Sequence, residues 1–495
     1  MEPRVLESSS ATGQPTAGMG APSHPNRWAV LVVMCVGYFL VLLDVTIVNV
    51  ALPHIGSGLH ASVSALQWVV DGYAIALASL MLTGGTLGDL RGHRRVVLAG
   101  LALFGIGSLS CGFAPSTAPL VGARVLQGIG AALLLPGTLA VITHAFPGRR
   151  EQARAIGVWA GIGSAALPAG PLLGGGLVDW VGWRWIFLLN VPIVIAALLV
   201  AAWVVPRGTE DSSRRLDLAG TTLGALFLAC VTFAFIEGGH AGSRLPVVAA
   251  IAAVVLLCAF VAVERARSDA MFPLVLFRRP DFGAANAAAG AMNLGTLGML
   301  FVLTLYLQDV QGRSALAAGV AMVPLFAPLA VLAPVAGRLT ARHGPRLPMA
   351  VGLVVSAVGL GLLTGLSAGS DYVEILPALL LWGIGLGILT PAVVAAAMAA
   401  VPPHRAGLAS AVNNTARQAG GAIGIAALGA VAGSPARTGQ FLAGMHSGAL
   451  IASALYGLAA VTTLLFISAD AGRRRSSGPA HPGGGKDHKH QRRHR

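Results

Sequence analysis

Apolar residues run through this chain in long blocks, not in the short alternations of half-buried strands. Windows of about 19 mostly apolar residues occur fourteen times. They cover approximately 28–49, 66–88, 95–113, 118–143, 155–178, 184–205, 217–237, 246–263, 284–306, 315–337, 347–367, 373–400, 407–431 and 448–468. Helices of this length, rising ~1.5 Å per residue, can cross a hydrocarbon layer ~30 Å thick. The pattern predicts an all-α polytopic membrane protein with 14 transmembrane helices. An even number of crossings puts both termini on one side.

The blocks also repeat. "GIGAALLLP" (128–136) returns as "GIGLGILTP" (383–391), and "GTLGDLRG" (85–92) is echoed by "GRLTARHG" (337–344). Both echoes fall on the same side of the membrane, so the halves are parallel copies about an axis along the membrane normal. A route between such halves crosses at mid-membrane. The repeat divides the chain into a six-helix bundle at 28–205, an inserted helix pair with linkers at 206–281, and a second six-helix bundle at 282–468. Residues 1–27 and the basic stretch 469–495 read as disordered tails.

Charge then sets the orientation. Loops on the terminal side hold seventeen arginines, whereas the opposite loops hold only Arg184, Arg244, Arg313 and Arg437. By the positive-inside rule both termini are cytoplasmic. With 55% apolar and only 11% charged residues, and a mean hydropathy of +0.75, a soluble multidomain protein is excluded. The net charge of +14 reports topology rather than nucleic-acid binding, and the basic tail suits an anionic inner leaflet. Cys35, Cys111, Cys230 and Cys258 lie in apolar blocks and read as small hydrophobes. The tail histidines are irregularly spaced, as in a solvated tail. No phosphate loop, catalytic triad or zinc pattern is present. The expectation is no cofactor, no metal and no enzyme.

A few polar residues interrupt the blocks. Asp44 lies about 25 Å along a helix starting near Arg27. An acid at such a depth costs ~3 kcal/mol or more, so it usually faces an aqueous cavity, where it can alternate between protonated and ionised states. The other reading is a helix-end carboxylate bonded to Thr46 or Asn49. Asp71, with Trp68 and Tyr73 near in sequence, suits a lipophilic cation or an interfacial aromatic belt. Arg124, followed on its face by Gln127 and Gly128, is either a fixed buried charge or a snorkelling side chain. The second half has Leu379 at the aligned position, so the fold itself does not require the arginine. Ser410, Asn413, Asn414 and Arg417 form a stripe that either lines the cavity or bonds between helices. Asp89 with Arg91, Arg94 and Arg95 reads as a latch, or as a topogenic loop. The second copy has Ala341 at the aspartate's place, so any latch is asymmetric.

At these motifs the chain resembles the major facilitator superfamily, in its fourteen-helix drug:proton antiporter branch. "GTLGDLRGHRR" is similar to the loop motif after helix 2, matching at Gly85, Leu87, Asp89 and Gly92. It departs at Leu90, where the pattern has arginine, with Arg91 beside it as substitute. "RVLQGIGAA" (124–132) resembles the helix-4 motif, and "ALPAGPLLGG" (166–175) the helix-5 antiporter motif, with Ala166 in place of its first glycine. "LDVTIVNVALP" (43–53), "WRWIFLLNVP" (183–192) and "NNTARQAGGAIG" (413–424) resemble the fourteen-helix branch. The resemblance implies that Arg124 tunes Asp44 in proton coupling. It implies that Pro168, Gly170, Pro171, Gly174 and Gly175 seal helix 5, and that Gly85, Asp89, Arg91, Gly92 and Arg94 form a cytoplasmic gate. Asp71, Trp68, Tyr73, Gln127, Asn413 and Arg417 are the candidate substrate or cation site. The expected activity is proton-coupled efflux of amphipathic drugs or antibiotics across the plasma membrane, by a carrier that works as a monomer. The alternatives are export of one endogenous metabolite, such as a self-made antibiotic, and a membrane sensor that transports nothing.

Overall fold

The computed structural model describes residues 27–206, 216–238, 243–267, 274–402 and 405–468. The two tails read from the sequence thus lie outside the described residues, apart from Arg27. The first bundle comprises α1 (Arg27–Leu59), α2 (Val63–Arg91), α3 (His93–Gly112), α4 (Thr117–Ala145), α5 (Arg149–Val181), the one-turn α6 (Trp185–Leu188) and α7 (Asn190–Val204). The pair α8 (Leu218–Glu237) and α9 (Leu245–Ala266) follows. The second bundle comprises α10 (Pro280–Leu305), α11 (Ala315–Ala321), α12 (Val323–His343), α13 (Arg346–Leu362), α14 (Tyr372–Ala399), α15 (Ala406–Ala432) and α16 (Thr438–Phe466).

Thirteen helical segments among the described residues are long and apolar enough to cross a membrane. The 27-residue α15 supplies the fourteenth crossing, its apolar content diluted by Asn413, Asn414, Arg417 and Gln418. Two expected spans are broken. Residues 184–205 open with the short α6, and residues 315–337 divide into α11 and α12 around Met322, with a proline at the start of α12. Pro lacks an N–H and suits a first helical turn, where none is needed. α10 ends in a π-helical turn at Tyr306–Val310.

The sequence repeat is a structural repeat. α2 and α3 pack on α4 as α12 and α13 pack on α14, and α1 packs on α5 as α10 packs on α15. The turns closing the two echoed motifs also match: Gly92 has φ 85° and Gly344 φ 81°, a region open to glycine and costly for other residues. The inserted pair packs on itself, and α8 leans on both α2 and α15, at the seam between the bundles. At the base of this pair, Asp217 caps α8 and accepts from Arg267 at 3.1 Å.

The bundles meet along two seams, α2 against α15 and α5 against α11 and α12. The half of the interface away from the termini is closed. Gln67 donates to the Ile425 and Ala426 carbonyls of α15, and Gln308 donates to the Val50 carbonyl of α1. Asp179, at the end of α5, accepts from the Ala315 and Leu316 amides that begin α11, at 3.1 and 3.0 Å. In the half nearer the termini, the bundles part around a cavity of about 460 Å³.

Candidate functional site

The first bundle is built around one ionic cluster. Asp44, near the middle of the 33-residue α1, is 1% exposed, and Arg124 of α4 is 0% exposed. Arg124 Nη1 donates to Asp44 Oδ2 at 2.5 Å and to Gln127 Oε1 at 2.7 Å, while its Nε donates to the Val69 carbonyl of α2 at 3.0 Å. Gln127 Nε2 donates to the other Asp44 oxygen at 2.8 Å and to Ser108 Oγ at 2.9 Å. Asn190 of α7 also donates to Ser108. The Tyr73 ring lies 4.3 Å from the guanidinium carbon, and its hydroxyl donates to the Val41 carbonyl. Five helices thus converge on one charge pair. Such a pair is stable in a dry interior only when its remaining lone pairs and N–H groups find partners, as these do.

This arrangement corrects the sequence reading in two respects. Asp44 does not face the inter-bundle cavity; it is turned into its own bundle, where a guanidinium does what cavity water would otherwise do. Nor does it bond Thr46 or Asn49, whose side chains donate instead to the Leu43 and Val45 carbonyls. Arg124 does not snorkel. The second bundle carries Leu379 and Trp382 where the first carries Arg124 and Gln127, both 0% exposed. The same architecture therefore packs with an apolar centre.

The candidate substrate set is not brought together. Successive helix positions turn by ~100°, which carries Tyr73 away from the face that Trp68 and Asp71 share. Trp68 packs near Phe233 of α8 at 6.3 Å, and Tyr73 and Gln127 belong to the ionic cluster. Asn413 donates to Asn286 of α10, a packing contact. Asp71 is fully buried, and neither of its oxygens has a hydrogen-bond partner among the described residues. Only Arg417 of this set lines the cavity.

The cavity wall contains a pair of rings the sequence reading did not single out. Tyr38 of α1 and Trp159 of α5 stack with centroids 3.9 Å apart and planes 14° apart. Nothing in local spacing signals such a contact between two helices. Asp179 was also missed, although a signal existed: Pro171, Gly175 and Asp179 fall at i, i+4 and i+8, one helical stripe.

The helix-5 motif lies where α1, α5 and α11 touch. α5 runs unbroken through Pro168 and Pro171. A Cβ added at Gly170 or Gly174 would strike Thr46 or Ile47 of α1, and one at Gly175 would strike Ala315 and Leu316 of α11. From the other side, a Cβ at Gly319 would strike the Pro171 carbonyl. Close backbone approach is the use of small residues in membrane interfaces. At the motif between α2 and α3, Asp89 pairs with His93 at 3.3 Å. Arg94 donates to the Ala202 carbonyl of α7, Arg91 is exposed, and Gly85 and Gly92 sit in the helix end and its turn.

Two parallel bundles that part around a cavity, with a buried ion pair at the centre of the first, define the architecture of a polytopic secondary transporter. Residues 34–425 match the model of the Major Facilitator Superfamily, and the chain belongs to that family. It is 38% identical over 410 residues to the multidrug resistance protein Stp of Mycobacterium tuberculosis, covering 82% of this chain and 76% of the relative. It is 35% identical over 434 residues to the tetracenomycin C resistance and export protein of Streptomyces glaucescens, covering 86% and 79%. A bacterial homologue of the human lysosomal transporter Spinster, solved inward-facing and unoccupied, superimposes with TM-score 0.65 at 19% identity. That match covers 93% of this chain and all of the solved one, and it supports the shared fold. The protein is a multi-pass membrane protein.

Proposed function

We propose that the protein exports amphipathic drugs or antibiotics in exchange for protons, by opening the inter-bundle cavity alternately to the two sides of the plasma membrane. One observation carries the reading: the fully buried Asp44–Arg124 pair at 2.5 Å, set in one bundle of a repeat whose other bundle does without it. A costly group that the fold does not require is kept for what it does. The names of the relatives, one for multidrug resistance and one for resistance and export, support the cargo class and the direction. The arginine bias supports cytoplasmic termini, and so a cavity that faces the cytoplasm in this arrangement. The carrier works as a monomer without a cofactor, with its bundles at 28–205 and 282–468 and an inserted pair between them.

Coupling runs through α1. Protonating Asp44 leaves Arg124 without its counter-charge, and breaking one side of a buried pair costs ~3–5 kcal/mol. Thr46 and Ile47, in the next turn, rest on Gly170 and Gly174 of α5, whose adjoining face carries Pro171 and Gly175 onto α11. The charge state of Asp44 thereby bears on the seal between bundles. Asp71, buried in α2 with no hydrogen-bond partner for either oxygen among the described residues, is a second acid open to proton exchange. Asp89, Arg91 and Arg94 gate the cytoplasmic side. One inward proton supplies ~2.3 kcal/mol per 100 mV, and about 1.4 kcal/mol per pH unit.

A drug-susceptibility panel in an efflux-deficient bacterial host tests this. Expression is expected to raise resistance to several amphipathic compounds and to lower their accumulation, with both effects removed by a protonophore. Unchanged accumulation across the panel would sink the reading and revive a non-transporting sensor. The relative named for one antibiotic supports a second reading, a dedicated exporter of a single metabolite. Resistance confined to one compound would select it.

A further inference from the structure

The cavity has a charge of one sign. Among the described residues that line it, only Arg417 carries a formal charge; no Asp, Glu, Lys or His joins it there. Asp44 is committed to Arg124 at 2.5 Å, and Asp71 does not line the cavity. Arg417 has no ion-pair partner among the described residues, and its Nε makes no hydrogen bond there. A guanidinium cannot shed its charge by losing a proton. An uncompensated cation in a membrane interior is held for water or for something that binds there.

Facing it across the interface is an aromatic platform. Tyr38 and Trp159, stacked at 3.9 Å, line the cavity from α1 and α5, while Arg417 lines it from α15. Gly163 lets the Tyr38 ring lie against α5, since a Cβ there would strike the ring. The indole Nε1 of Trp159 is itself buried and has no acceptor among the described residues. Asn414 and Gln418 supply amides beside Arg417. The wall thus offers π-surface, a guanidinium and two amides, and among the described residues it has no carboxylate for a cationic guest. At about 460 Å³ the space suits a small polycyclic molecule.

We infer that this cavity selects flat aromatic acids (molecules bearing a carboxylate, phenolate or enolate) over lipophilic cations, with the ring on the Tyr38–Trp159 platform and the anion on Arg417. The inference rests on the efflux reading above and names its substrate class. It replaces the cation site expected at Asp71. It also has an energetic consequence. Exchanging one inward proton for one outward monoanion moves two positive charges inward, so the potential drives it twice as hard as export of a neutral molecule. Exchange against a monocation is electroneutral and gains nothing from the potential.

The test is equilibrium binding of anthracene-2-carboxylate, its carboxamide and 2-(aminomethyl)anthracene to the purified protein in nanodiscs, read by energy transfer from tryptophan. The carboxylate is expected to bind about tenfold or more tighter than the carboxamide, as a charge-assisted pair allows, with the amine weakest. Arg417→Gln should bring the carboxylate-to-carboxamide ratio close to one, while Arg417→Lys should keep a preference for the acid. If the glutamine variant does not fold, the wild-type ratio and the lysine variant decide. A carboxylate that fails to bind, an amine that binds best, or a ratio unchanged in Arg417→Gln would each overturn the inference. Flux of the same three compounds in proteoliposomes separates the two claims. Acid-selective binding without flux would remove the transport reading and leave the site. Proton-driven flux of the amine alone would do the reverse.

Discussion

At the scale of the residue, the pair Asp44–Arg124 distinguishes a functional charge from a structural one. Removing only the arginine leaves a buried carboxylate unmatched, a loss of ~3–5 kcal/mol, so Arg124→Leu should lower the melting temperature and the membrane yield. Replacing both, as Asp44→Leu with Arg124→Leu, should restore most of that stability, because the second bundle already packs Leu379 at the corresponding place. Transport should stay abolished in the double variant. Thermal unfolding by fluorescence-detected size exclusion, alongside drug accumulation, checks both; a stable and active double variant would make the pair ornamental. Both members of the pair were legible in the sequence, since a charge inside an apolar block is visible without coordinates. Their partners were not. Gln127, a candidate substrate residue by sequence, belongs to the ionic cluster, and Tyr73, near Trp68 and Asp71 in sequence, is carried by the turn of the helix into that same cluster.

At the scale of the element, α5 and α11 form the seal opposite the termini. Asp179 accepts from two free amides at the start of α11, the role of an N-cap, typically worth ~1 kcal/mol. Asp179→Ala should therefore shift the carrier about fivefold towards the arrangement open on that side. Gly319→Val places bulk against the Pro171 carbonyl. Overpacking of ~1–3 kcal/mol should shift the balance further and lower export by tenfold or more. Spin labels at Trp180 and Val320, both exposed, in a background lacking native cysteines, would report a growing long-distance population. Unchanged distances in both variants would remove the seal from α5–α11. The helices themselves were the most legible part of this protein, because the ~30 Å membrane sets their length. The break between α11 and α12 was hidden because Pro324 sits inside a continuous apolar window, where hydropathy cannot distinguish a helix start from a helix interior.

At the scale of the whole molecule, the repeat and the asymmetry within it carry the function. Parallel copies could be read from two echoed glycine motifs, and the matching turns at Gly92 and Gly344 show why the echo survives. What the sequence hid was the side-chain chemistry across the seam, such as the Tyr38–Trp159 stack lining the same cavity as Arg417, which depends on how the bundles lie together. One bundle is ionic at its centre and the other apolar, and on the proposed function proton exchange would fall to the first and cargo to the space between. The most direct measurement is proton flux in proteoliposomes holding wild type or Asp44→Asn, with a pH gradient imposed and substrate added as the trigger. Substrate-dependent proton movement in wild type, lost in Asp44→Asn while substrate binding persists, is the predicted result. Equal proton movement in the two proteins would contradict the assignment of coupling to Asp44.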